Sequence, residues 1–200
     1  MNDTVRRSQG GEGRRGRPRG FCTEEALDAA EELFAKRGYE GVGVAELCRV
    51  MGIRPPSFYA AFGSKAGCFA KAVERYAAGR GGAVLRDIMV TEPDPRRGIP
   101  AMLLAAADAY TDGVLGCFIM EGARGTNDAE AVESCHSALT VTASALRDYV
   151  ASTSDDPART ASLVLTALTG LSGSARQGGN RVDLRAFAQL AGDGIVAQLD

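Results

Sequence analysis

The sequence predicts an all-α protein, and three observations carry that reading. Apolar residues recur at spacings of three and four in segment after segment, as in Ala26, Leu27, Ala30, Leu33 and Phe34, or Ala161, Val164, Leu165, Leu168, Leu171 and Ala175. That spacing places side chains on one face of a helix. Glycine and proline punctuate the segments at Gly38, Gly52, Gly63, Pro93–Pro100 and Gly178-Gly179, where helices stop or turn. Finally, one stretch from Val44 to Lys65 reads as a helix, a tight turn and a second short helix. The chain of 200 residues accommodates a small unit followed by a medium one.

In the Val44–Lys65 stretch, Ala45, Cys48 and Met51 are expected to share a helical face, with Gly52 ending the helix in the left-handed conformation and Ile53 as a buried plug in the turn. Pro55 and Pro56 fit only the first turn of a new helix, whose N–H groups have no partners in any case. Gly63-Ser64 closes that helix and caps the next. A helix running from about Pro55 to Phe62 is too short to be stable alone, so its neighbours must hold it and its outer side is free for contact. A helix, a glycine-containing turn and a second short helix is the layout that places its second helix in the DNA major groove.

The run GYEGVGVAELCRVMGIRPPSFYAAFGSK, residues 38–65, resembles the N-terminal DNA-binding domain of the TetR/AcrR (tetracycline-repressor-type) transcriptional regulators. The matching places are Gly38-Tyr39, Gly52-Ile53, Pro55-Pro56-Ser57, Tyr59, Phe62 and Ser64-Lys65. The resemblance spans about residues 16–78 and extends beyond only as a general helical layout. It implies a DNA-binding unit over residues 21–65 and a helical effector-binding and dimerisation unit over residues 66–200. Tyr59 and Lys65 resemble the tyrosine and lysine that meet phosphates in that family. Where family members often carry Thr or Ser at the start of the second helix, this chain has Gly43. A phosphate contact there falls to backbone N–H groups.

Base-edge contacts are expected from Arg54 and Ser57, with Pro55 or Pro56 offering apolar contact to a thymine methyl. Phe58, Phe62 and Tyr39 read as core. Arg49 reads as either a phosphate contact or a solvated charge.

Composition restricts the function further. The net charge of −2 gives no global pull toward nucleic acid, so attraction to DNA must be local. Residues 1–20 supply it: Arg6, Arg7, Arg14, Arg15, Arg17 and Arg19 stand against Asp3 and Glu12 in a Gly-rich segment without apolar periodicity. This reads as a disordered basic arm, with Arg17 and Arg19 flanking Pro18 in a form suited to a narrow minor groove. With 45% hydrophobic residues and a mean hydropathy of −0.09 the chain can bury a core. No apolar run approaches the ~18 residues of a spanning helix, and no apolar segment follows the basic start as in a secretory signal. The expected compartment is the cytoplasm.

Further along, Thr23 is an N-cap candidate for a first helix ending at Arg37. A fourth helix is expected from Ser64-Lys65 to about Arg86, packing through Phe69, Ala72, Val73 and Tyr76, with Gly79–Gly82 as a place where it breaks or bends. Thr91–Pro100 reads as a connector, followed by helices over about Ala101–Asp112 and Asp128–Ala151, with the apolar run Val114–Met120 between them. Leu139, Thr142, Leu146 and Val150 are the expected buried stripe of the long helix. Met102, Tyr110, Phe118, Met120, Glu121 and His136 are the residues expected to line an effector pocket, although Met and aromatic residues at this spacing are more often plain core.

Two last helices, residues 156–199, read as a dimerisation hairpin giving a four-helix interface across a two-fold axis. Leu184, Phe187, Ala188, Ala191 and Ile195 form the stripe of the second. A homodimer would read a palindromic operator with two copies of the short helix.

The leading expectation is a homodimeric repressor released from double-stranded operator DNA by a small apolar effector, with no cofactor. Cys117 and Cys135, the latter beside the single histidine, leave open a thiol- or metal-responsive regulator, although the five cysteines have no recognised metal-ligand or disulfide spacing. A helical enzyme is the remaining reading. It lacks a nucleophile elbow, a phosphate loop or a paired-carboxylate motif.

Overall fold

The computed structural model describes residues 23–113 and 115–199, in which ten helices follow one another: α1 (Thr23–Arg37), α2 (Val44–Met51), α3 (Pro55–Phe62), α4 (Lys65–Ala78), α5 (Arg80–Thr91), α6 (Pro95–Tyr110), α7 (Phe118–Arg124), α8 (Ala129–Val150), α9 (Pro157–Arg176) and α10 (Arg181–Val196). The basic arm with Arg17 and Arg19 lies outside the described residues, as do Cys22, Val114 and the side chain of Thr23.

Local chemistry sets the bounds of the N-terminal helices. α1 carries Glu24 and Glu25 in its first turn and Lys36 and Arg37 in its last, each sign matching the helix dipole. Gly52 ends α2 at φ 67°, and the Ile53 N–H donates to the Cys48 carbonyl to close the turn. Pro55 and Pro56 open α3. Ser64 caps α4 by accepting from the Gly67 N–H at 2.8 Å.

The buried meridian of α2 differs from the expected one. Leu47 and Cys48 are buried, Met51 is half-buried and Ala45 is exposed. α2 is wedged between α1 and α3, so its contact line runs between two neighbours rather than along one stripe.

The expected helix to Arg86 is two helices. The chain breaks at Gly79, with φ −94° and ψ −131°, and restarts at Arg80. Arg86 reaches back to the carbonyls of Ala77, Ala78 and Gly79 and satisfies the broken end of α4. Tyr76 occupies the space where a Cβ on Gly81 would stand, so the glycines let α5 press against that ring.

The proposed connector Thr91–Pro100 is also mostly helix. Asp94 caps α6 by accepting from the Arg96 N–H at 3.0 Å, and Pro95 is its first residue. Pro100 lies inside the helix, where its backbone carbon approaches Gly192 so closely that a Cβ there would stand 2.9 Å from it. The α6–α10 crossing depends on that missing side chain.

Around these helices runs a continuous core. Phe69 of α4 sits at its centre, with ring centroids 5.1 Å from Phe34, 5.1 Å from Tyr39 and 5.2 Å from Phe118. Leu146 and Val150 of α8 are buried as expected, joined by Ala131 and Cys135, whereas Leu139 and Thr142 are half-buried. On α10, Leu184, Ala188 and Ile195 point inward. Phe187, of the same expected stripe, is 48% exposed. With Leu163, Val182 and Leu190 it leaves an apolar face on α9 and α10.

Candidate functional site

α3 stands on Phe58 and Phe62, which are buried, and presents Arg54, Pro55, Pro56, Ser57 and Tyr59 outward. Arg54 is the N-cap residue with extended backbone, and its guanidinium makes no hydrogen bond or ion pair with any described residue. Neighbouring cations are committed. Arg37 donates to both Glu46 oxygens at 2.6 and 2.7 Å, Arg49 lies 3.5 Å from Glu46, Lys36 pairs with Glu32, and Arg75 pairs with Glu24 and Asp28. A guanidinium that is exposed and without an internal acid retains its donors for an acceptor on another molecule.

Gly43 caps the N-terminus of α2 without a side-chain hydrogen bond, and a Cβ there would meet nothing within 4 Å. The glycine is therefore no steric necessity, and the Val44 and Ala45 N–H groups that open α2 have no acceptor among the described residues, the Gly43 carbonyl being taken by Glu46 and Leu47. Lys65, predicted as a phosphate contact, is half-buried. Its Nζ donates to the Tyr39 carbonyl at 3.1 Å and lies 3.8 Å from the centroid of that ring.

Sequence reasoning missed the joint around Tyr39. The Tyr39 hydroxyl donates to Asp128 Oδ2 at 2.6 Å, while Asp128 Oδ1 accepts from the Glu130 and Ala131 N–H groups and so caps α8. Thr126 pairs with Glu40 alongside, and Arg176 of α9 donates to the Ala35 carbonyl at 3.0 Å. The Tyr39 hydrogen bond, with the backbone N–H groups behind it, holds the Asp128 carboxyl below its ordinary range. A carboxyl depressed in the folded state contributes stability above its unfolded value and loses it as pH falls through the folded value. Asp128→Ala is therefore expected to cost about 1 kcal/mol in urea unfolding at pH 7, and to cost less in the same measurement at an acid pH below the depressed folded-state value. An equal cost at both pH values would show that the charge plays no part.

Two cavities flank the joint. The larger, about 640 Å³, lies between α4, α5, α7 and α8 over Val73, Leu85, Ile119, Met120, Leu139 and Leu168. The smaller, about 310 Å³, lies where α1 and α4 meet the α6–α7 loop and includes Phe34, Tyr76, Phe118 and Glu121. Tyr110 and Cys117 line both. The six residues predicted for one pocket are thus divided: Met120 faces the larger space, Phe118 and Glu121 the smaller, and Tyr110 both. Met102 and His136 line neither. Met102 is fully buried on α6, and His136 is exposed on the outer face of α8, one residue beyond the buried Cys135. One helical position rotates a side chain by about 100°, enough to separate those two fates.

The four described cysteines are packed rather than poised. Cys48, Cys68, Cys117 and Cys135 are buried and free. Burial pushes the Cys68 thiol up to about 12, Cys135 to about 11, and Cys117 also upward, which disfavours the reactive thiolate. Among the described residues no three His, Cys, Asp or Glu side chains gather to hold a metal ion.

A short reading helix with an uncommitted arginine, carried by a three-helix unit and joined through α4 to a cavity-bearing helical unit, defines a helix-turn-helix DNA-binding regulator. The family model for bacterial regulatory proteins of the tetR family matches residues 26–72. The chain is 36% identical over 192 residues to the HTH-type transcriptional repressor BdcR of Escherichia coli (strain K12), covering 92% of this chain and 94% of that one. It is 32% identical over 108 residues to the repressor ComR of the same strain, 53% of this chain and 51% of that one. A cysteine-substituted TetR-family regulator, CifR, solved in complex with 26-bp double-strand operator DNA, matches with a TM-score of 0.79 and 34% identity over 88% of this chain and 98% of that one. The chain belongs to the tetR family of transcriptional regulators. No helix among the described residues is long and apolar enough to cross a membrane.

Proposed function

We propose that this regulator is a homodimeric repressor that leaves a palindromic operator when a small, largely apolar molecule fills the 640 Å³ cavity. The observation that carries the reading is the double service of α4. Its first turns pack the DNA-reading unit through Ala66 and Phe69, and its later turns, Val73, Glu74 and Ala77, form a wall of the cavity. A ligand that favours a shifted α4 therefore biases the orientation of α3. Residues 21–65 then act as the reader and residues 66–200 as the sensor and dimer unit. Arg54 and Ser57, with Pro55 or Pro56, meet base edges. Tyr59, Lys65, the Gly43 backbone and the arm arginines Arg17 and Arg19 meet phosphates. It acts by binding rather than by turnover, in the cytoplasm where operator DNA lies.

The apolar face of α9 and α10 supports pairing through residues 156–199. Leu190→Glu combined with Phe187→Glu is expected to give a folded monomer by sedimentation and to lose cooperative binding to a two-half-site operator. A dimer that persists in this variant would place the interface elsewhere. The reading as a whole is tested by salt-titrated binding to DNA flanking the gene, with and without residues 1–20. Specific binding with a salt slope that becomes shallower on arm removal supports it. Absence of specific binding across a genomic fragment pool overturns it.

A further inference from the structure

The ligand of the 640 Å³ cavity, we propose, carries a positive charge: an organic cation with an apolar body and an ammonium-type group held at the mouth. This rests on the reading of that cavity as the effector site and specifies the chemistry of what enters it.

The interior is apolar, from Val73 and Leu85 to Ile119, Met120 and Leu168, so the body of the ligand must be apolar too. The mouth is acidic. Glu74 of α4 and Glu130 and Glu133 of α8 line the cavity and are exposed. No cation among the described residues pairs with any of them. The Glu74 side chain makes no hydrogen bond or ion pair, and Glu133 only accepts from the Ser137 hydroxyl at 3.3 Å. Arg86 is the single cation in the lining, and its guanidinium is spent on the carbonyls that end α4. Lys71, one turn before Glu74, is exposed, forms no ion pair and does not line the cavity.

These charges sort ligands by sign. An anion entering the apolar interior would pass three carboxylates set against the one charge of Arg86, and a neutral molecule would gain no charge attraction there. A cation gains from all three while remaining wet, so it avoids the desolvation that makes a buried charge costly. The carboxylates stand around an opening instead of converging as metal ligands do, and no three are placed to hold a metal ion. That spacing suits a diffuse organic ammonium. Open to solvent, each carboxylate contributes little alone, so the preference comes from their sum and is sensitive to salt.

The test uses three probes of one shape: 4-phenylbutylamine, protonated at pH 7, 4-phenylbutanol, and 5-phenylvalerate. Each is titrated calorimetrically into the full-length protein and into two variants. The amine is expected to bind on the order of tenfold tighter than the alcohol, and the carboxylate weakest, with the gap narrowing as salt rises. The triple variant Glu74→Gln, Glu130→Gln and Glu133→Gln is expected to bring the amine within about twofold of the alcohol and leave the alcohol unchanged. Ala138→Trp, which fills the cavity, is expected to abolish binding of both. Equal binding of amine and alcohol, with Ala138→Trp abolishing both, would overturn the charge assignment and leave the cavity reading standing. Tightest binding of the carboxylate would do the same. Failure of all three probes, or binding that Ala138→Trp does not disturb, would overturn both.

Discussion

Arg54→Ala is expected to weaken specific operator binding by about 1–3 kcal/mol for each half-site, at least about thirtyfold for the dimer, without changing the thermal midpoint. Arg54 caps α3 through its backbone, is exposed, and meets no acid or carbonyl among the described residues. Its removal therefore breaks nothing inside the fold. Arg37, by contrast, forks onto Glu46 and ties α1 to α2, so an alanine there would confound stability with binding. Around Arg54 the reading surface is poor in donors: Pro55, Pro56 and Ala60 carry none, Ser57 carries one hydroxyl, and Tyr59 a phenol. One guanidinium with several N–H groups dominates such a surface, and its fork matches two acceptors on a guanine edge. Fluorescence anisotropy at fixed salt checks this with operator and scrambled DNA side by side. Equal losses on both would make Arg54 a phosphate contact and shift base reading to Ser57 with Pro55 or Pro56.

The reader was legible in sequence because its signals are local. Gly52 ends α2, Pro55 and Pro56 start α3, and Ser64 caps α4, each acting within a few residues of itself. Alternation of exposure along α3 followed in the same way from Phe58 and Phe62. What failed depended on distant partners. Thr91–Pro100 looked like a linker since proline usually breaks a helix, but Asp94 and Pro95 open α6 and Pro100 continues it, packed against Gly192 of α10. Within the stripe of α10, periodicity shows that a face is apolar and cannot say that Leu184 and Ala188 are covered by their own chain while Phe187 is left exposed. The Tyr39–Asp128 bond joins residues 89 positions apart, and no short-range pattern announces it. The residues expected of one pocket are spread over two cavities and the core for the same reason: Met102 and Met120 have the same chemistry, and only the packing of α6 against its neighbours decides which one meets a cavity.

Phe69→Ala is expected to destabilise the protein by about 3–5 kcal/mol in urea unfolding, the largest effect predicted for any single substitution here. Phe69 is fully buried, and its ring touches three others from three separate elements: Phe34 of α1, Tyr39 in the turn after it, and Phe118 of α7. Its tip also fills the notch above Gly122, where a Cβ would stand 2.8 Å away. The four rings belong to both units, so their neighbours cannot collapse into the gap without separating reader from sensor. That constraint places the cost toward the upper end for a buried aromatic, because the penalty grows with the cavity that remains. The ring also lines the 310 Å³ space, so its loss would enlarge an existing cavity. Stability of a dimer depends on protomer concentration, and the comparison must hold that fixed. Phe69→Leu keeps most of the volume and loses the edge-to-face contacts, worth about 0.5–1.5 kcal/mol per pair. A small loss for leucine beside a large one for alanine would assign the role to volume. Near-equal losses would assign it to the ring contacts. Less than about 1 kcal/mol for alanine would mean that the two units do not share the core described above.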